Sequence, residues 1–153
     1  MRICLFQPDI AQNVGAIMRL CACFDTPLDI IAPCGFPVSD KSLKRTAMDY
    51  ADHVEVRLHS SWRAFLETGP ANARRVLLTT KSADRYDRFA FRSSDTLILG
   101  RESAGVPADV HDQCDARLRI PLCDRARSLN VAIAAGIALA EAMRQTCAFD
   151  VLR

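Results

Sequence analysis

Six short apolar runs constrain this chain more than anything else in it. RICLFQ (2–7), LDIIA (28–32), VEVRL (54–58), RVLLTT (75–80), DTLILG (95–100) and ARLRIP (116–121) all have strand length. Several carry apolar residues at consecutive positions, so both faces of the strand require cover. Sheets covered on both faces are largely parallel, with helices as the crossovers. Helix-like stretches at 13–24, 40–48, 61–67, 107–113 and 129–145 lie between or after these runs. The alternation predicts an α/β domain of three layers around a mostly parallel sheet. The polar connection KSADRYDRFAFRSS (81–94) reads as a mobile loop.

At 153 residues the chain suits one domain spanning 1–153, with a core that needs neither metal nor disulfides. A formal net charge of +2 does not mark a nucleic-acid binder, so any RNA role requires a local basic patch. The seven Cys include no C-x-x-C pair and lie mostly in apolar runs, which reads as buried thiols in a reducing compartment. The start of the chain enters a strand-like run with no signal-peptide pattern, and Val131–Ala140 is too short an uncharged run to span a bilayer. A cytoplasmic protein is expected.

Asn13 is a good N-cap for the first helix. At about 100° per residue, Val14, Ile17, Met18, Cys21 and Phe24 form its core stripe. Gly15, Arg19 and Ala22 then fall on the opposite side. That side is either a solvated surface or a face kept low for a ligand or subunit, with a fixed cation above it.

Three strands end in segments suited to holding a ligand: Leu78–Thr80, Gly100–Glu102 and Ile120–Leu122. In α/β folds, ligands bind beyond the carboxyl ends of strands. Pro107 suits the start of a short helix. The dinucleotide and P-loop glycine fingerprints are absent, as is the hydrolase nucleophile elbow. His53, His59 and His111 lack metal-ligand spacing, and Asp9 and Asp25 read as solvated surface. The last helix is unusual. It has Ala or Gly at 132, 134, 135, 136, 138 and 140, with Ser128 and Asn130, both N-cap types, at its mouth.

NVGAIMR (13–19), LILGRESAGVP (97–107) and IPLCDRARSLNVAIAAGIALAEA (120–142), in that order, resemble the SPOUT RNA methyltransferases. FQPDIAQNVGAIMRLCA (6–22), FPVSDKSLKRTAMDY (36–50) and LLTTK (77–81) extend the likeness to the small tRNA 2′-O-methyltransferases that act on the wobble nucleotide. The resemblance implies a deep trefoil knot in the C-terminal half, and a homodimer with its active site at or near the subunit contact. It also implies S-adenosylmethionine as methyl donor and no metal. It places the donor at Leu78, Thr79, Gly100, Glu102, Gly105, Ile120, Leu122 and Ser128. Arg19 becomes the candidate catalytic group, with Asn13, Glu102, Ser128 and Asn130 around it. A guanidinium normally stays protonated, so Arg19 either activates the ribose hydroxyl or holds a phosphate or developing alkoxide. Lys41, Lys44, Arg45, Arg125 and Arg127 are the expected contacts to the tRNA anticodon region. Ala140 departs from the aromatic side chain that such enzymes can carry in the last helix. Two readings stay open beside wobble methylation: a SPOUT enzyme for another tRNA or rRNA site, and a non-catalytic RNA-binding dimer.

Overall fold

The computed structural model describes residues 1–38, 50 and 53–152. Its elements run β1 (Arg2–Phe6), α1 (Ala11–Cys23), β2 (Leu28–Ile31), β3 (Val56–His59), α2 (Trp62–Thr68), β4 (Arg75–Leu78), β5 (Thr96–Leu99), α3 (Ala108–Asp112), β6 (Ala116–Leu118) and α4 (Val131–Gln145). Single 3₁₀ turns lie at Tyr86–Arg88 and Ala148–Val151. The helix expected over 40–48 falls outside the described residues. All six strand runs appear, each slightly shorter than its apolar run or, for β3, shifted towards its C-terminal end.

The strands form one sheet in the order β3-β2-β1-β5-β4-β6, and every pairing is parallel. Period-two alternation divides the strand side chains between two cores. Ile3 and Leu5 point to the α1/α4 side, with Leu28, Ile30, Leu97 and Leu99. Cys4 and Phe6 point to the other side, against Trp62 and Phe65 of α2 and Val110 of α3. This is the expected three-layer arrangement. The exception is β3, an edge strand whose Arg57 and Leu58 are exposed.

The Ala-rich composition of α4 has a packing cause. Ala135, Ala138, Leu139, Ala142 and Met143 are buried in the core that α4 shares with α1 and the sheet. Small side chains let the two helices approach on one sheet face. The core stripe of α1 is as expected, with Phe24 only partly buried. Gly15, however, is buried too, so it does not belong to an open face with Arg19. Arg19 is exposed, its guanidinium 4.6 Å from the Tyr50 ring centroid.

Asp29, buried in β2, accepts from Arg2 Nε at 2.6 Å and sits 2.8 Å from His59 Nε2. This gives an anion inside the sheet the partners it needs. The thiols are less uniformly buried than expected. Cys4, Cys21 and Cys114 are buried, Cys34 is half-buried, and Cys23, Cys123 and Cys147 are exposed; all are free. Being apolar and small permits a thiol to be buried but does not require it. Segment 81–94 is tied down rather than loose. Phe91 is buried, and its N–H donates to Gln145 Oε1 at 2.9 Å, while Gln145 Nε2 donates to the Phe89 carbonyl at 3.0 Å. Two aromatic residues anchor an otherwise polar stretch. No described helix is long and apolar enough to cross a membrane.

Candidate active site

Parallel registry brings three strand ends level: Leu78 of β4 is paired with Leu99 of β5 and with Leu118 of β6. β1 lies beside β5, and the chain turns from β1 towards β2 on one side while β5, β4 and β6 lie on the other. Such a switch in direction opens a crevice beyond the carboxyl ends. Here it is a cavity of about 1160 Å³. Leu78, Thr79, Gly100, Glu102, Gly105, Ile120, Leu122 and Ser128, the whole expected donor set, line it. Asn13 and Asn130 line it too. Arg127 is on its wall, whereas Arg125 and Arg19 are not. Lys41, Lys44 and Arg45 lie outside the described residues.

One wall is a chain of hydrogen bonds between residues far apart in sequence. Asn13 Nδ2 donates to Glu102 Oε1 at 2.8 Å. Asn130 Nδ2 donates to Asn13 Oδ1 at 2.9 Å. Asn130 Oδ1 accepts from the Ala132 and Ile133 amides at 2.8 and 3.4 Å, capping α4. Asn13 is therefore not the cap of α1. The helix begins two residues earlier, with extended Ile10 at the cap position, and the Asn13 amide bonds to the Ile10 carbonyl. Relieved of capping, the Asn13 side chain joins Glu102 to the start of α4. Asn130 alone supplies the α4 cap, and Ser128 takes no part in it.

Glu102 Oε2 accepts the Asp9 amide at 2.8 Å, so its carboxylate sits at the positive end of α1. Asp9 answers with its own carboxylate. Oδ1 accepts from Arg101 Nε and Nη2 at 3.2 and 3.0 Å, and Oδ2 from the Ser103 amide and hydroxyl at 2.9 and 2.6 Å. The Ser103 hydrogen bonds, reinforced by Arg101, hold the Asp9 carboxyl below its usual range against the opposing effect of desolvation. Asp9 is thus a clamp on the turn after β5, not the solvated surface group expected from sequence. No feature around it in the sequence marks that role; its partners are more than 90 residues away.

The turn itself closes on its own backbone. Arg101 and Gly105 exchange both N–H···O bonds, at 2.9 and 2.8 Å. A Cβ on Gly100 would lie 2.6 Å from the Gly105 carbonyl carbon, so a side chain there strikes the turn before it reaches the cavity. Gly105 needs glycine for another reason, its φ of +70°. Among the described residues no group of three or more His, Cys, Asp or Glu side chains could hold a metal.

The model of the SpoU rRNA methylase family matches residues 1–140. The chain belongs to the SpoU rRNA methylase family. A relative from Ancylobacter novellus, named tRNA (cytidine(34)-2′-O)-methyltransferase, is 49% identical over 150 residues, covering 97% of this chain and 95% of its own. A solved structure described as giving insight into 2′-OH methylation of C/U34 on tRNA is similar with a TM-score of 0.88 and 41% identity, over 94% of each chain. The AdoMet-bound rRNA methyltransferase of Sinorhizobium meliloti is similar with a TM-score of 0.83 and 26% identity, over 94% of this chain and 55% of its own. The SpoU membership accords with the parallel α/β sheet.

Proposed function

We propose that this chain transfers a methyl group from S-adenosylmethionine to the ribose 2′-OH of the tRNA wobble nucleotide, cytidine or uridine 34. The observation that carries the reading is the cavity at the level ends of β4, β5 and β6, walled by the Glu102–Asn13–Asn130 chain, in a protein nearly half identical to a tRNA (cytidine(34)-2′-O)-methyltransferase.

The cavity residues fit such a donor. Leu78, Ile120 and Leu122 offer apolar surface for a flat base, and Thr79 and Ser128 offer hydroxyls beside it. The volume exceeds the roughly 300–1,000 Å³ of small-molecule sites. That leaves room for a donor with the target ribose next to it. When bound, the donor supplies an electrophilic methyl group on a sulfonium. The protein's part is then positioning and electrostatics. Glu102, Asn13 and Asn130 use their polar atoms on one another and on the amides of Asp9, Ala132 and Ile133, which suits them to holding the walls fixed rather than to carrying protons. Ser128, exposed and outside the cap, has its hydroxyl available to a ligand. The Arg19 guanidinium would stabilise the developing alkoxide or hold the neighbouring phosphate, while the hydroxyl proton leaves to that phosphate or to water and S-adenosylhomocysteine departs.

The same reading includes one domain over 1–153, a C-terminal trefoil knot, a cytoplasmic location and a homodimer. The position of Arg19 off the cavity wall is what a site shared between two subunits would produce. Lys41, Lys44, Arg45, Arg125 and Arg127 would contact the anticodon region. The test is tritiated methyl transfer into fractionated tRNA, followed by nucleoside identification. Wild-type protein should label the wobble ribose. Arg19→Ala should slow transfer by roughly a hundredfold, the size of one lost charge-stabilising contact, with donor binding by calorimetry retained. A folded Arg19→Ala protein with normal turnover would remove Arg19 from the catalytic assignment.

A further inference from the structure

We propose that the β6 side of the cavity rim is a contact surface for the RNA backbone, built by Lys81 and Arg119 together with Arg125 and Arg127. It rests on the tRNA reading above and deepens it, because Lys81 and Arg119 were not among the RNA contacts expected from sequence.

The distribution of ion pairs motivates it. Most described arginines are already neutralised by a carboxylate, as Arg63 is by Glu67 and Arg74 by Asp95. Arg117 is taken by the carbonyls of His111 and Asp112. Lys81, Arg119, Arg125 and Arg127 are exposed and form no ion pair among the described residues. Two other exposed arginines share that lack. Arg92 precedes β5, at the opposite end of the strands, whereas Arg88 shares a smaller pocket with Asp84 and Leu118 and is not on the cavity wall.

Backbone contacts bring Arg119 beside the segment that carries Lys81. The chain leaving β4 runs alongside the chain leaving β6. The Thr79 amide donates to the Leu118 carbonyl at 2.8 Å, and the Ser82 hydroxyl to the Arg117 carbonyl at 2.7 Å. Farther on, the Arg119 amide donates to the Asp84 carbonyl at 2.8 Å, and the Tyr86 amide to the Arg119 carbonyl at 3.0 Å. Lys81 and Arg119 therefore stand on adjacent segments. Lys81 and Arg127 both line the cavity, and Arg125 is two residues from Arg127. Asp84 and Asp124 share the region, while Asp87 is occupied by Arg85. Four free cations against two free carboxylates leave an excess of positive charge beside the cavity where the target ribose must enter. Exposed cations in such a row neutralise phosphates and release counterions; they do not read bases.

Fluorescence anisotropy of an anticodon stem–loop RNA, titrated at several salt concentrations, tests this. The Lys81→Gln/Arg119→Gln double variant should bind about tenfold more weakly at 0.1 M salt. The slope of log affinity against log salt should become shallower by roughly 1.5, as two lost single-strand phosphate contacts require. Hairpins of unrelated loop sequence should lose affinity equally, and donor affinity by calorimetry should hold. Arg63→Gln on α2 should leave RNA binding unchanged. An unaltered salt slope in the double variant overturns the surface. So does a loss of donor affinity in Lys81→Gln alone, which would assign Lys81 to the donor's carboxylate. Wild-type protein that binds no tRNA hairpin would instead overturn the tRNA reading itself.

Discussion

Asp9 shows how one residue acquires a role from fold alone. Its carboxylate holds Arg101 and Ser103, and its amide holds Glu102, so one position fixes three consecutive residues of the turn after β5. Asp9→Asn keeps the shape but loses the charge. Hydrogen bonds to charged groups contribute about 1.5–3 kcal/mol, so donor affinity measured by calorimetry should fall by roughly tenfold or more. The pH dependence follows from the direction of the shift. A carboxyl lowered in the folded state contributes stability that is complete above its ordinary pKa of about 4 and is lost as pH falls through the lower folded value. The difference in melting temperature between wild type and Asp9→Asn should therefore be constant from pH 5 to 8 and shrink in stronger acid. A difference that shrinks near neutrality would reject the clamp. Nothing adjacent to Asp9 announces this, since Arg101 and Ser103 reach it only through the β1–β5 pairing. Arg19 is the reverse case: the sequence motif singled it out, while the single chain places it off the cavity wall.

At the scale of elements, the turn after β5 separates two kinds of glycine. Gly100 is required by the close approach of Gly105, and Gly105 by its own backbone angle. Gly100→Ala should disrupt the turn, lowering both melting temperature and donor affinity. Gly105→Ala has open space for its methyl and should cost about 1–2 kcal/mol for the left-handed conformation, a loss that urea unfolding would measure. Equal effects of the two substitutions would contradict this division. The helices were legible in kind and less so at their starts. The capping rule pointed to Asn13 because it immediately precedes the apolar stripe, but α1 begins at Ala11 and Asn13 serves the site instead. At α4 the same rule identified two candidates, and only the fold assigned the cap to Asn130 and left Ser128 to the cavity.

At the scale of the molecule, exposed apolar side chains mark the starts of both helices that cover one sheet face. Ile10 is 44% exposed beside α1, and Ile133 is 55% exposed in α4. A second copy is the proposed cover, and sedimentation should find a dimer at micromolar concentration. A fully active monomer would reject that assembly. What the sequence determined by itself is the class of fold and the chemistry of its parts. Two-faced apolar runs alternating with helices require a covered parallel sheet, and the motifs around Asn13, Gly100 and Ser128 point to a methyltransferase through their resemblance to a known family. Both are local properties, carried by residues within one strand, turn or helix. Only the tertiary structure decided which strand ends stand level. It likewise decided that Asp9 clamps the turn, that Glu102, Asn13 and Asn130 form one wall, and which cations go without carboxylates. Those outcomes depend on inserting β5 between β1 and β4. That insertion brings together groups separated by most of the chain, and their hydrogen bonds have meaning only at contact distance.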